Sequence, residues 1–122
     1  MENNQKMSLS VVIPVYNEEK MVGKVITDIK NELTKSNVNY EIIAVNDGSS
    51  DGSSEALKQI EGIKYLEHRP NKGYGASLKT GIKNSQYEKI MIIDADGTYP
   101  VDAIPKLLEK AWDYELVVGA RD

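Results

Sequence analysis

The chain has 122 residues, with 15 basic residues against 19 acidic ones, no cysteine and a single histidine. That length supports one domain with a real core and is too short for two. A net charge of −4 gives no broad attraction to nucleic acid. The lack of cysteine excludes disulfides, thiolate metal sites and thiol nucleophiles, and fits a reducing, cytoplasmic compartment.

The polar start, Met1 to Lys6, lacks the apolar centre of a secretion signal. No apolar run approaches the ~18 residues of a membrane span. Leu9 to Val15 is a near-continuous Val/Ile run, the pattern of a parallel strand covered on both faces. Met21, Val22, Val25, Ile26, Ile29 and Leu33 then fall on one helical stripe. Tyr40 to Val45 repeats the buried-strand pattern, and Ser53 or Ser54 can cap a short helix through Ile60, with Gly62 just past its end. Ile63 to Leu66 is a weaker strand, and the turn cluster Asn71 to Gly75 opens a helix over about residues 76–84. Ile90 to Ile93 is a third buried strand, Ile104, Leu107, Leu108 and Ala111 form another helical stripe, and Leu116 to Val118 closes the series. This β-α-β-α-β-α-β-α-β order predicts an α/β fold, a doubly wound, mainly parallel, right-handed sheet, in one domain over residues 1–122. Every strand-to-helix loop then emerges on one edge, where open α/β sheets bind ligands.

The polar chemistry collects in those loops. Asp94-Ala95-Asp96-Gly97-Thr98-Tyr99-Pro100 follows a buried strand. Residues i and i+2 of an extended chain project to one side, so Asp94 and Asp96 can aim oxygens at a common point. Solvated carboxylates with an Asp96-Gly97 turn are the plain alternative; the position favours a hard divalent cation carrying a phosphate-bearing ligand. Asp47, in Asn46-Asp47-Gly48, ends another strand and is placed to accept hydrogen bonds from a base or ribose. A hairpin turn there fits poorly, because a loop and helix follow rather than a return strand. Ser49, Ser50 and Asp51 read as turn and capping residues. After the first strand, Pro14 marks the strand end, Tyr16 can stack on a base and Glu18 can bind ribose hydroxyls; equally, Asn17 can be a helix cap, with Glu18 and Glu19 favouring the helix dipole.

Asn71-Lys72-Gly73-Tyr74-Gly75 is not a dinucleotide fingerprint, which belongs directly after the first strand. Its small residues, with Ala76 and Gly81, permit close approach of a helix to ligand or sheet. Lys79 and Lys83 read as solvated lysines, Lys79 lying nearer the ligand edge and within reach of a diphosphate. His68-Arg69 reads as a surface pair, and Trp112 and the methionines as packing.

Taken together, Val11 to Glu19, Val45 to Gly52, Asn71 to Ala76, Asp94 to Pro100 and Val117 to Arg121 resemble an inverting, family 2 type glycosyltransferase with the Rossmann-like GT-A nucleotide-sugar-binding fold. The Asp-Gly-Thr-Tyr-Pro ending is most similar to the branch that moves sugars onto polyprenyl or dolichyl phosphates. The resemblance implies that Pro14, Tyr16, Glu18 and Asp47 meet the nucleoside and that Asp94 and Asp96 match the metal-diphosphate motif, with Mg²⁺ or Mn²⁺ as cofactor. It places Arg121 at a basic position near the phosphates, so that Asp96 and Arg121 serve the reaction itself. Some relatives carry a Gln metal ligand where Thr98 stands here. The implied partners are a nucleoside-diphosphate sugar donor and a lipid-phosphate or glycan acceptor.

Family members continue with an acceptor-side half, whereas this sequence ends at Asp122. The expectation is therefore a donor-binding portion, truncated after the fifth strand, that binds nucleotide weakly and transfers little sugar alone. Membrane contact, at the cytoplasmic face, would come only through that further part, and an uncovered strand edge favours self-association into a homo-oligomer.

Three other readings compete. A sugar-nucleotidyltransferase needs a Gly-rich, Arg-containing loop where Tyr16-Asn17-Glu18-Glu19 stands. A phospho-receiver wants a phosphorylatable Asp after the third strand and a Lys after the fifth, where this chain has His68-Arg69 and Arg121. The third is a regulatory domain that binds a nucleotide sugar without turnover.

Overall fold

The computed structural model describes residues 6–119. Strand β1 (Ser8–Val15) leads to α1 (Val22–Lys35), then β2 (Asn39–Asp47), α2 (Ser53–Lys58), β3 (Lys64–His68), α3 (Tyr74–Lys83) and β4 (Lys89–Ile93). A 3₁₀ turn at Val101–Ala103 precedes α4 (Ile104–Ala111), and β5 (Leu116–Gly119) ends the series. The strands form one sheet in the order β3-β2-β1-β4-β5. All four pairings are parallel, with β1 in register from Ser8↔Asn39 to Val15↔Asn46 against β2 and from Leu9↔Lys89 to Val12↔Ile92 against β4.

Burial on both faces explains why β1 is apolar from Val11 to Val15. Leu9, Val11, Ile13 and Val15 point to one face, where they meet Val22, Ile26 and Ile29 of α1, Leu57 of α2 and Ile104 and Leu108 of α4. Val12 points to the other face, with Ile43, Val45, Ile90 and Ile92 and with Leu78 of α3 packed against them. A fully buried Val, Leu or Ile contributes about 1.5–3 kcal/mol, so a strand covered on both sides has no position to give to a polar residue without a partner. The exception, Ser10, is fully buried and bonded to Glu41.

Helix α3 approaches the sheet more closely than a side chain would allow. A Cβ on Gly81 would sit 2.3 Å from Val12 Cγ1. The sequence expectation of close approach holds at Gly81; at Gly75 nothing lies within 4 Å of such an atom.

Several expectations change at this level. Helix α3 begins at Tyr74, two residues earlier than its turn cluster suggests. Ser53 does not cap α2 with its side chain; its hydroxyl is used elsewhere. Asn17 is not the cap of α1, which starts at Val22 behind Met21. Trp112 is 59% exposed and so is not a packing residue among the described residues. The strand order also removes the receiver reading, because receiver-type sheets run 2-1-3-4-5. Among the described residues no helix is long and apolar enough to cross a membrane.

Candidate functional site

The order of strand addition reverses between β1 and β4: β2 and β3 are added on one side of β1, β4 and β5 on the other. Loops leaving the carboxyl ends of two such strands diverge and leave a crevice. A cavity of about 330 Å³ lies there. Pro14, Tyr16 and Glu18 line it from the end of β1, Asp47 from β2, and Asp94 and Asp96 from β4. Six of the eight residues singled out in the sequence therefore share one cavity. Asn71, Gly73, Tyr74 and Ser77, from the loop before α3 and its first turn, complete the wall. Lys79 is exposed on α3 and is not among the lining residues. Arg121 lies outside the described residues.

Two loops are fastened together to build the β1 side. The Asn17 amide donates to Ser49 Oγ (2.9 Å), and the Ser50 amide donates back to Asn17 Oδ1 (2.8 Å). The Glu18 amide donates to Ser53 Oγ (2.9 Å), and the Glu19 amide to Asp51 Oδ2 (3.2 Å). Gly52 N–H returns a bond to Glu19 Oε1 (3.2 Å). Asn17 itself has φ 53°, the left-handed region that Asn tolerates better than most residues. The Ser49-Ser50-Asp51 segment also holds Asn17 and Glu19, on either side of Glu18, in place.

Asp47 accepts three hydrogen bonds. It is 5% exposed; its Oδ1 accepts from Lys72 N (2.8 Å) and His68 Nδ1 (2.8 Å), and its Oδ2 from Gly73 N (2.9 Å). Burial pushes its carboxyl up, but the Lys72 amide, His68 and the Gly73 amide outweigh that and hold it below the ordinary range. His68 corrects a sequence expectation. It is not half of a surface pair with Arg69 but is 7% exposed, between Asp47 and Thr80 Oγ1, which lies 2.8 Å from Nε2. Arg69 turns outward to Glu67. No local signal in the sequence could reveal this, because the partners of His68 lie 21 and 12 residues away.

The β4 side is acidic. Glu18 has its carboxyl pushed up by burial and then by the nearby charges of Asp96, Asp51 and Asp94. Asp96 Oδ1 accepts from the Thr98 amide (3.0 Å) and hydroxyl (2.7 Å), so Thr98 shapes the acidic turn. Tyr74 donates its hydroxyl to Asp94 Oδ1 (3.0 Å) from across the cavity. Burial, followed by that bond and the charge of Asp94, pushes the Tyr74 phenol up to about 12. Tyr74, which in the sequence is part of a turn cluster, lines the cavity.

No Lys or Arg is among the described residues lining this cavity. The carboxylates of Glu18, Asp94 and Asp96 offer the oxygen ligands that a hard cation prefers. Among the described residues no group of three or more Asp, Glu, His or Cys side chains converges to hold a metal by itself. That combination fits an ion bound through one or two carboxylates and completed by phosphate oxygens and water, the usual arrangement for Mg²⁺.

Comparison with known proteins agrees with this geometry. Residues 10–122 match the family described as Glycosyl transferase family 2, and the chain belongs to that family. It is 35% identical over 124 residues to an undecaprenyl-phosphate 4-deoxy-4-formamido-L-arabinose transferase of Aeromonas hydrophila, covering 98% of this chain and 38% of that protein. It is 30% identical over 119 residues to a dolichol-phosphate mannosyltransferase of Pyrococcus furiosus, covering 94% of this chain and 33% of that protein. The chain thus spans between 33% and 47% of the curated relatives it matches. In fold it is similar to a mannosyltransferase of Pyrobaculum calidifontis solved with GDP-Man and Mn²⁺, with a TM-score of 0.72, 19% identity, and coverage of 87% of this chain and 32% of that one. The glucosyl-3-phosphoglycerate synthase of Mycobacterium tuberculosis, solved with Mn²⁺, UDP and its glucosylated product, gives a TM-score of 0.69 at 20% identity, over 84% of this chain and 39% of that one. These are glycosyltransferase folds of the GT-A type, so the fold expected from the motifs is the one observed.

Proposed function

We propose that this chain forms the donor-binding part of an inverting glycosyltransferase that takes a sugar from a nucleoside diphosphate and passes it to a polyprenyl phosphate. The observation that carries the reading is convergence: the ends of β1, β2 and β4 bring Pro14, Tyr16, Glu18, Asp47, Asp94 and Asp96 to one cavity at the crevice of the sheet. Several relatives are named for transfer to undecaprenyl or dolichol phosphate, which supports the acceptor class.

In this reading the nucleoside lies toward the β1 and β2 ends. Tyr16, half exposed at the rim, offers a face on which a base can stack. Glu18 meets the ribose hydroxyls, and Asp47 keeps one acceptor site for the base or ribose. Asp94 and Asp96 would hold Mg²⁺ or Mn²⁺ at the diphosphate end. When bound, such an ion supplies positive charge against the departing nucleoside diphosphate. Arg121, two residues beyond β5 in the sequence, is assigned the same charge-neutralising task. The acceptor approaches the anomeric carbon from the face opposite the diphosphate, which inverts that centre. A phosphate acceptor brings its own oxyanion, so the chain needs no general base to make the nucleophile.

A thermal-shift panel of UDP, GDP and other nucleotides, with and without Mn²⁺, tests this. Ligand present at 100 times its Kd should stabilise the folded state by about 2.7 kcal/mol. The expected result is a metal-dependent shift with one nucleotide that disappears in Asp96→Ala. No shift with any nucleotide would remove the reading.

A further inference from the structure

We propose that His68 is a positioning residue of the nucleotide site: clamped between Thr80 and Asp47, it fixes the carboxylate that in turn holds the Lys72–Gly73 wall of the cavity. The proposal rests on the donor-site reading for its functional half and on geometry alone for its structural half.

The bonding pattern around Asp47 sets the argument. An ionised carboxylate has about four acceptor sites, and three are filled from within the chain: two on Oδ1 and one on Oδ2. Only one site, on Oδ2, is left for a ligand, so its direction depends on how the carboxylate is rotated. The Lys72 and Gly73 amides cannot define that rotation alone, because they belong to the loop that Asp47 is holding. His68 is the bond from outside that loop. It comes from the end of β3, which lies beside β2 with His68 opposite Asp47 in register.

The ring is itself fixed at both nitrogens. Asp47 is held in its ionised form by its donors, so Nδ1, 2.8 Å from Oδ1, must carry a proton and donate it. Nε2 faces the hydroxyl of Thr80 at 2.8 Å, in the second turn of α3. The chain of contact therefore runs from α3 through His68 to Asp47 and back to the loop that starts α3. Gly73, at φ 104°, takes a backbone conformation that a side chain would strain. Gly48 leaves room for the same loop from the other side: a Cβ there would sit 2.6 Å from Asn71 N. With the loop so confined, a small rotation of Asp47 changes where the cavity wall stands.

Three substitutions separate this role from general packing. In His68→Asn the side-chain amide nitrogen falls near the Nδ1 position and keeps the bond to Asp47. His68→Gln places its amide near Nε2 and keeps only the Thr80 contact, and His68→Leu keeps neither. Nucleotide affinity is measured calorimetrically with UDP and GDP in Mn²⁺, and the Lys72 and Gly73 amide resonances are followed by ¹⁵N–¹H NMR without ligand. Losing one hydrogen bond to a charged group corresponds to about a tenfold weakening. The expected result is that Gln and Leu bind about tenfold more weakly and move both amide resonances, while Asn stays near the parent in both readouts. Equal loss in Asn and Gln, or unchanged amide resonances in Leu with cooperative unfolding retained, would overturn the positioning role. If the parent binds no nucleotide of the thermal-shift panel, the donor-site reading fails and takes the functional half with it; the amide resonances still decide the structural half.

Discussion

A carboxylate taken out of water is costly unless its oxygens are matched by donors, and Asp47 shows what that demand achieves here. Two backbone amides and an imidazole converge on it, so the charge that makes it useful also organises a loop 25 residues further on. Asp47→Asn keeps the shape but turns an N–H₂ group toward donors. It should destabilise the fold by about 2–4 kcal/mol at neutral pH, measured by urea unfolding. Because the folded-state value is depressed, the contribution of Asp47 is complete above its ordinary value of 3.8 and fades as pH falls through the lower folded value. The gap between parent and variant should therefore narrow in strong acid. That Asp47 lies at the cavity is legible in the sequence from its place at a strand end. Its partners are not, because they are brought by β3 and α3.

At the scale of elements, hydrophobic periodicity was a reliable guide. Strands covered on both faces need apolar residues at every position, so β1, β2 and β4 appear as runs, and α1 and α4 as single stripes. Helix starts were less legible. Ser53 has the composition of a cap, but its hydroxyl accepts from the Glu18 amide 35 residues away. A local rule cannot anticipate a competing partner from another loop. The contact between α3 and β1 offers a test of packing. Gly81→Ala places a methyl 2.3 Å from Val12 Cγ1 and should cost about 1–3 kcal/mol in thermal or denaturant unfolding. Combining it with Val12→Ala should cost less than the sum of the two single changes, because the second substitution vacates the space the first one needs.

At the scale of the whole molecule, the two ends of the sheet have different tasks. The carboxyl end diverges into the cavity, while the amino end is tied together by Glu41, which joins four segments. Ser10 of β1 donates to it, Lys64 of β3 pairs with it at 3.5 Å, and the amide of Gln86, before β4, donates at 2.7 Å. Burial raises its carboxyl, but the Gln86 amide, Ser10 and Lys64 outweigh that and lower it. Glu41→Gln should therefore destabilise the fold by about 1–3 kcal/mol near neutrality. The difference should persist above the ordinary value of 4.5 and vanish as pH falls through the lower folded value, as read from unfolding curves between pH 7 and 3. The sequence by itself determined the α/β class, the order of the elements and six of the residues that line the cavity, Pro14, Tyr16, Glu18, Asp47, Asp94 and Asp96. Those follow from side-chain periodicity and from the position of polar residues just after apolar runs, both of which are local. Only the tertiary structure decided that β4 returns beside β1, that Tyr74 reaches across to Asp94, and that His68 is buried against Asp47. Each of these depends on which distant segments become neighbours, and burial changes the chemistry of a side chain only once those neighbours are in place.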